Sequence, residues 1–343
     1  MLKGLTPRRE AVLSIIVSEY IATVLPVASE TIFRNYELGV SPATIRNDMA
    51  FLEEAGYITR PYTSSGSVPL DKGYRHYVES LAKEAELPLE EQYRIRKLFY
   101  EVEEEFERWL KLAATIAAHL VRNAVLVTSP KPRQCRFRHL ELVALQEFVA
   151  LMVLVLSEAI LKRQLLSFEE PVTQERLTRV ANKLNVAYSG LSSSEISTKK
   201  LELSPEEGLV RETVLDIMSA EDELEYEEPY LDGLRLMLGQ PEFAQKARML
   251  SIMELMETKE WFSSAFSLRS SDVGVQVVIG EENRDETLRD LSLVFSRYGI
   301  PGRVGGTIGV IGPTRMDYCR AISTVGYMSG ILSDLVAGLC HGD

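Results

Sequence analysis

Cysteine and histidine are scarce in this chain, and neither is clustered. The three cysteines, Cys135, Cys319 and Cys340, are odd in number, far apart and without a CxxC pair. That excludes a disulfide framework and offers no zinc site. The four histidines, His76, His119, His139 and His341, are equally dispersed, so all seven residues read as structural. Long apolar runs are also missing. The longest, residues 148–156, is too short to cross a bilayer, and the first residues do not read as a signal peptide. A cytoplasmic protein with no membrane association is expected. Positive charge is in deficit as well. A formal net charge of −12 argues against a protein that coats nucleic acid without specificity.

Catalytic signatures are absent too. No GxSxG, HExxH or HxE…PCxxC occurs. The glycine-rich run 305–314 invites a phosphate-loop reading, but no Lys precedes its Thr and its spacing fits neither GxxxxGK[ST] nor GxGxxG. Glycines there read as backbone geometry. The acidic tract 221–228 lacks the alternating spacers of a metal site and reads as a solvated face. No enzyme, metal or cofactor is therefore expected.

What is present is a chain of 343 residues, 45% apolar, enough for two or three domains with large cores. Its charge is uneven. Residues 1–80 hold 8 Lys and Arg against 9 Asp and Glu, whereas the remainder holds 30 against 41. A near-neutral head on an acidic body suits a binder that relies on base contacts and geometry more than on bulk charge.

The chain is organised around residues 27–75. A short helix, the turn ELGV, a second helix, and two extended segments around a Gly/Ser loop follow in order. The second helix is well punctuated: Ser41 at the N-cap, Pro42 at the first helical position, Gly56 just past the end. Ile45, Met49 and Leu52 fall on one face. Ala43, Thr44, Arg46 and Asn47 begin the other, a turn of small, polar and basic residues suited to base edges in a major groove. Helix, tight turn, capped helix and β-ribbon make a winged helix-turn-helix. Its first helix is expected over residues 6–24, with Thr6 as cap, Pro7 at the start and Val12, Ile15, Ile16 and Tyr20 inward. Lys3, Arg8 and Arg9 could touch phosphates or be solvated. The wing strands are expected over 57–62 and 68–70. The hydroxyl-rich loop between them (Thr63, Ser64, Ser65, Gly66, Ser67) can approach phosphates closely. The residues expected at DNA are thus Ser41, Ala43, Thr44, Arg46, Asn47, Thr63, Ser64, Gly66 and Ser67, with Lys72, Tyr74 and Arg75 just after the wing.

Residues 84–104 read as a linker, leading into one helix over 90–123 whose acidic first half is solvated. From 124 to 168 Val- and Leu-rich runs suggest strands, with hairpins at Gln146-Glu147 and Ser157-Glu158. Helices return after Thr173. A polar, Ser-rich stretch follows over 192–199, then a helix over 205–220, and 230–238 reads as a short strand. A long helix over 243–262, strands over 273–279, 290–297 and 305–311, and a closing helix over 316–339 complete the pattern. Strands, a helical excursion and further strands suggest a sheet domain interrupted by an insertion.

At this point a resemblance becomes specific. SPATIRNDMAFLEEAGYITRPYTSSGSVPLDKGYRHYV, residues 41–78, resembles the DNA-binding segment of the HrcA family of heat-inducible transcription repressors. GTIGVIGPTRMDYCRAISTVGYMS, residues 306–329, resembles that family's C-terminal signature. The resemblance implies an α+β multidomain protein: a winged helix-turn-helix over 1–83, a linker over 84–104, a GAF-like α/β domain over 105–170 and 243–343, and an inserted dimerising domain over 171–242. It further implies a homodimer on double-stranded DNA at the inverted-repeat CIRCE element upstream of chaperone operons. Activity would depend on the GroEL chaperonin, which heat diverts to unfolded clients. The chain departs from the family at the wing. Arg usually follows the wing glycine, where Ser67 stands, and His often stands at Tyr62. A winged-helix regulator set by a small-molecule effector in the GAF-like domain is the alternative.

Overall fold

The computed structural model describes residues 5–62, 65–81, 86–102, 106–132, 135–157, 160–223, 229–257, 274–283, 285–301 and 303–340. The chain divides into two compact units. One comprises Met1–Ser129, Glu228–Tyr298 and Gly306–Asp343; the other comprises Pro130–Glu227 and Gly299–Gly305.

The first unit opens with the helical head. Helix α1 (Pro7–Thr23) buries Val12, Leu13, Ile15, Ile16 and Val17. Thr6 precedes it but makes no side-chain cap bond. After the short α2 (Ser29–Asn35), α3 (Pro42–Glu54) starts at a true cap, with Ser41 Oγ accepting from the Thr44 N–H. Ile45, Met49 and Leu52 are buried, as their spacing predicts. Asp48 is buried beside them, because Arg8 Nε donates to it at 2.6 Å and Arg9 Nε at 3.2 Å. The wing is shorter than expected: β1 (Ile58–Thr59) and β2 (Val68–Pro69) pair antiparallel over two residues each. An isolated bridge between Val27 and Ser67 fastens the wing to the loop before α2. Helix α4 (Asp71–Leu81) then buries Tyr74 and Val78.

The single helix expected over 90–123 is two, α5 (Leu89–Tyr100) and α6 (Phe106–Val121). Glutamates crowd residues 101–107, and like charges one turn apart disfavour a continuous helix there. Helix α6 turns Trp109, Leu110, Ala113, Ala114, Ala117, Ala118 and Val121 inward. The main sheet runs β8-β3-β11-β10-β9, with the short β4 also paired to β11. Its strands are β3 (Ala124–Val127), β4 (Lys131–Pro132), β8 (Tyr230–Asp232), β9 (Gln276–Ile279), β10 (Leu291–Ile300) and β11 (Val304–Pro313). The glycine-rich run is therefore mostly buried strand, with Ile308 opposite Val127 and Ile311 opposite Ala124. The closing helix is Tyr318–Cys340. The long helix expected over 243–262 is α11 (Lys246–Glu257) among the described residues; 258–262 lie outside them.

The second unit has its own sheet, β5 (Phe137–Gln146), β6 (Val149–Leu156) and β7 (Leu161–Ser167), in order β5-β6-β7. One face carries Leu140, Leu142, Met152, Leu154 and Leu166. It packs with Leu177, Leu184 and Tyr188 of α7 (Gln174–Tyr188) and with Val210, Val214 and Met218 of α9 (Pro205–Glu223). Two sequence expectations fail here. The Ser-rich stretch is a helix, α8 (Ser193–Thr198), started by a capping box between Ser192 and Glu195. Glu221 is not on a solvated face; it is buried, 2.5 Å from Lys162 and 3.8 Å from Lys131.

The two compact units divide the chain at other places than the expected domain boundaries. Residues 137–167 leave the main sheet to form the second unit's own three-stranded sheet. Residues 230–232 return as β8, paired to β3 with Asp232 opposite Val125, and α10 (Leu234–Leu238) follows. The second compact unit comprises residues 130–227 and 299–305, whereas the insertion expected from the sequence covers 171–242.

Candidate nucleic-acid interface

Helix α3 presents a clean outer face. Ala43, Asn47 and Ala50, spaced by four and three residues, line its outermost strip and are exposed; Arg46 stands beside them. Ser41 is exposed at the cap. Thr44 sits at the flank rather than opposite the core stripe. It is half-buried, with Oγ1 3.0 Å from Ser41 Oγ, so part of its bonding capacity serves the cap. The two alanines leave room for base edges. Asn47 brings a donor and an acceptor, and Arg46 a cation that lies 3.9 Å from Glu30 in an exposed pair.

The wing region differs from its expected role at several residues. Ser67 is fully buried and its backbone exchanges two hydrogen bonds of 2.9 Å with Val27, so it is held at the inner side of the cleft between α3 and the wing instead of in an exposed loop. Gly66 is glycine because a Cβ there would stand 2.5 Å from the Val27 carbonyl carbon. Its conservation of space serves the wing's attachment and leaves an open cleft beside it. Thr63 and Ser64 lie outside the described residues. Tyr74 is buried, its ring centroid 5.8 Å from that of Tyr318, and burial pushes its phenol well above the usual range. It offers no surface to a ligand. Lys72 is exposed, but its Nζ donates to the Ala55 carbonyl at 2.7 Å and lies 4.3 Å from the Tyr57 ring centre.

Arg75 belongs to a different contact. Its Nε donates to Glu282 Oε1 at 2.7 Å and its Nη2 to the Val277 carbonyl at 2.8 Å. Nearby, Asp71 Oδ2 accepts from the Glu281 N–H at 2.8 Å, and desolvation raises the Asp71 carboxyl's pKa. Arg315 completes this joint: Nε donates to Glu242 Oε1 at 2.5 Å and Nη1 to the Ile21 carbonyl at 2.7 Å. Within the first unit, these bonds hold the head against the sheet.

Sequence reasoning missed Ala50 and Arg60. Ala50 continues the Ala43–Asn47 strip at helical spacing, so its signal was present. Arg60 follows β1, and its Nε lies 3.3 Å from Glu53. It lines the same cleft as Arg46, Ala50 and Gly66, which only the folded wing brings together.

Comparison with known proteins now bears on this geometry. A model described as DeoR-like helix-turn-helix domain matches residues 36–68. A model described as HrcA protein C terminal domain matches residues 107–322, more than half of the chain. The chain belongs to the HrcA family. The heat-inducible transcription repressor HrcA of Dehalococcoides mccartyi (strain ATCC BAA-2266) is 47% identical over 335 residues, covering 98% of this chain and 97% of that protein. The protein of the same name from Chloroflexus aurantiacus is 41% identical, covering 98% and 95%. The crystal structure of a hypothetical protein at 2.2 Å resolution is 24% identical, with a TM-score of 0.61 over 98% of this chain and 99% of that one, and shares the fold. As an HrcA-family protein with a helix-turn-helix, the chain is a DNA-binding repressor of transcription and not an enzyme. Among the described residues no helix is long and apolar enough to cross a membrane.

Proposed function

We propose that this chain acts in the cytoplasm as a homodimer, each winged helix reading one half of an inverted-repeat operator of the CIRCE type. The observation that carries the reading is the outer face of α3: Ala43, Asn47 and Ala50 exposed in line, Arg46 beside them, on a helix capped by Ser41 and braced from behind by Asp48. Such a face fits a major groove, and two copies related by a twofold axis fit two half-sites. The main sheet with α6 is read as the GAF-like domain, and residues 130–227 as the inserted dimerising domain.

Support for the dimer comes from the second unit's sheet. Its outer face carries Val143, Leu145, Leu161 and Leu165 exposed, with Leu151, Val153 and Val155 half-buried between them. Strand β6 is thus apolar on both faces. Glu141 and Arg163 flank Val153 on this face, so the apolar surface is a strip along β6 with Val143, Leu145, Leu161 and Leu165 at its sides. An exposed apolar strip of this kind marks a surface that is covered in the working assembly. Dependence on GroEL is proposed from the family resemblance, with heat releasing repression when the chaperonin is drawn away.

The test is a footprint of the purified chain on DNA upstream of chaperone operons. Two protected arms of an inverted repeat, one helical turn or a multiple apart, are expected. Protection without twofold arrangement, or none, would overturn the reading. Adding chaperonin to a purified transcription assay should deepen repression; no change would remove GroEL from it.

A further inference from the structure

Between α3 and the wing lies an open cleft whose walls include Ala28, Arg46, Ala50, Arg60, Ser65 and Gly66. Resting on the operator-binding reading above, we propose that this cleft seats one backbone phosphate of the operator, held from two sides by Arg46 and Arg60.

Apart from the two arginines and Met49, the residues that line the cleft are small. The cations are presented on different elements: Arg46 on α3, Arg60 at the end of β1. Each faces one acid, half-buried Glu53 for Arg60 and exposed Glu30 for Arg46. Glu53 meets Arg60 through Nε at 3.3 Å, and Glu30 lies 3.9 Å from an Arg46 terminal nitrogen. A guanidinium engaged only through Nε keeps its two terminal nitrogens for a second acceptor, and its planar fork matches a phosphate. Exposed ion pairs are weak, so exchanging a glutamate for a phosphate is easy.

Position adds to chemistry. Arg46 and Ala50 form the edge of α3's outer strip on the side toward the wing. When that strip enters a major groove, the phosphates bordering the groove pass along its edge. The wing has no other cation to meet them at this place, because Ser67 is uncharged and buried and the Lys72 ammonium is bonded to Ala55. Arg60 is therefore the wing's anchoring charge, one residue position that neither the helix pattern nor the hydroxyl-rich loop suggests.

The experiment uses the full chain and an operator duplex carrying one methylphosphonate at a time along each half-site. Wild type should lose several-fold affinity at one phosphate per half-site beside α3. Arg60→Gln should bind the unmodified duplex more weakly and lose part of its sensitivity to that methylphosphonate, Arg46 still facing it; Arg46→Gln should lose part of its sensitivity at the same phosphate. In the dimer, Arg60→Gln removes one contact per head, so the salt slope should fall by roughly 0.9 for each. Arg60→Lys, which keeps the charge, should keep most of the slope. Wild-type affinity and slope in Arg60→Gln, or a variant penalised at that phosphate as strongly as wild type, would overturn the seat alone. A wild-type chain that binds no operator would sink the functional reading and the seat with it.

Discussion

Asn47 is flanked on the outer strip of α3 by two alanines, so its amide stands clear of larger neighbours and can reach a base edge. Asn47→Ala should cost about 1–3 kcal/mol on the operator if it makes a bidentate contact, and little on random DNA. Equal losses in titrations of both DNAs would deny it a base-reading role. Asp48, one residue on, works in the opposite direction. The Arg8 guanidinium holds its carboxyl below the ordinary 3.8 against the opposing pull of burial, with Arg9 helping. A carboxyl depressed in the folded state stabilises above the unfolded pKa, and that contribution is lost as pH falls through the folded one. Asp48→Asn should therefore cost about 1.5–3 kcal/mol at neutral pH. Its melting temperature should fall less than wild type's as pH drops below about 4; parallel melting curves would contradict the linkage. Lys72, by its bond to Ala55, should act through the fold more than through phosphates. The residue-level misreadings have a common cause. Tyr74 and Val78 are spaced by four, a burial signal available in the sequence, but the polar residues around them masked it. Ser67 looked like a loop hydroxyl because nothing in the sequence shows that it bridges to Val27, forty residues earlier in the chain.

Elements that announce themselves with caps and strong periodicity were legible: α3 by Ser41-Pro42, the closing helix by its long apolar pattern, β11 by its Val and Ile. Helix α8 carried an equally clear mark, the Ser-x-x-Glu box at Ser192 and Glu195, which the serine content obscured. The joint between α4 and the sheet was not legible, since it unites residues 71 and 75 with 277–282, and residue 21 with 315. It matters because the head can present α3 at a defined place only if it is fixed to something rigid. Arg315 is the centre of that joint, mostly buried and bonded to Glu242 and to the end of α1. Arg315→Ala should cost about 1.5–3 kcal/mol and leave part-buried acceptors on Glu242 and Ile21 without this donor. Hydrogen exchange should quicken in α1 and α4 while the centre of the main sheet stays protected. Unchanged exchange in both helices would show that the head is held by other contacts.

For the whole molecule, composition and the two end motifs indicated a near-neutral head on an acidic body, and both the family and the helix-turn-helix are shown. Sheet membership was not legible because it depends on distant pairing: β3 joins β11 and β8, whereas among the described residues the equally strand-like 137–167 forms a separate three-stranded sheet. The unalternating run 148–156 did carry a signal, since a strand apolar on both sides needs cover on both. If a second copy supplies that cover, Leu145→Asp together with Leu165→Asp should yield a folded monomer, because both side chains are exposed in the single chain. Light scattering would reveal it; a dimer that persists would place the contact elsewhere. Coupling two heads on one body gains affinity through effective concentration, up to ~10²–10⁴ without any new contact. The most direct measurement is therefore a titration of the wild-type chain and this double variant on two duplexes, the native operator and one with about half a helical turn inserted between its arms. Wild type is expected to lose at least ~10²-fold on the altered duplex, while the variant binds both weakly and alike. A wild-type chain that binds both duplexes equally well would contradict that expectation.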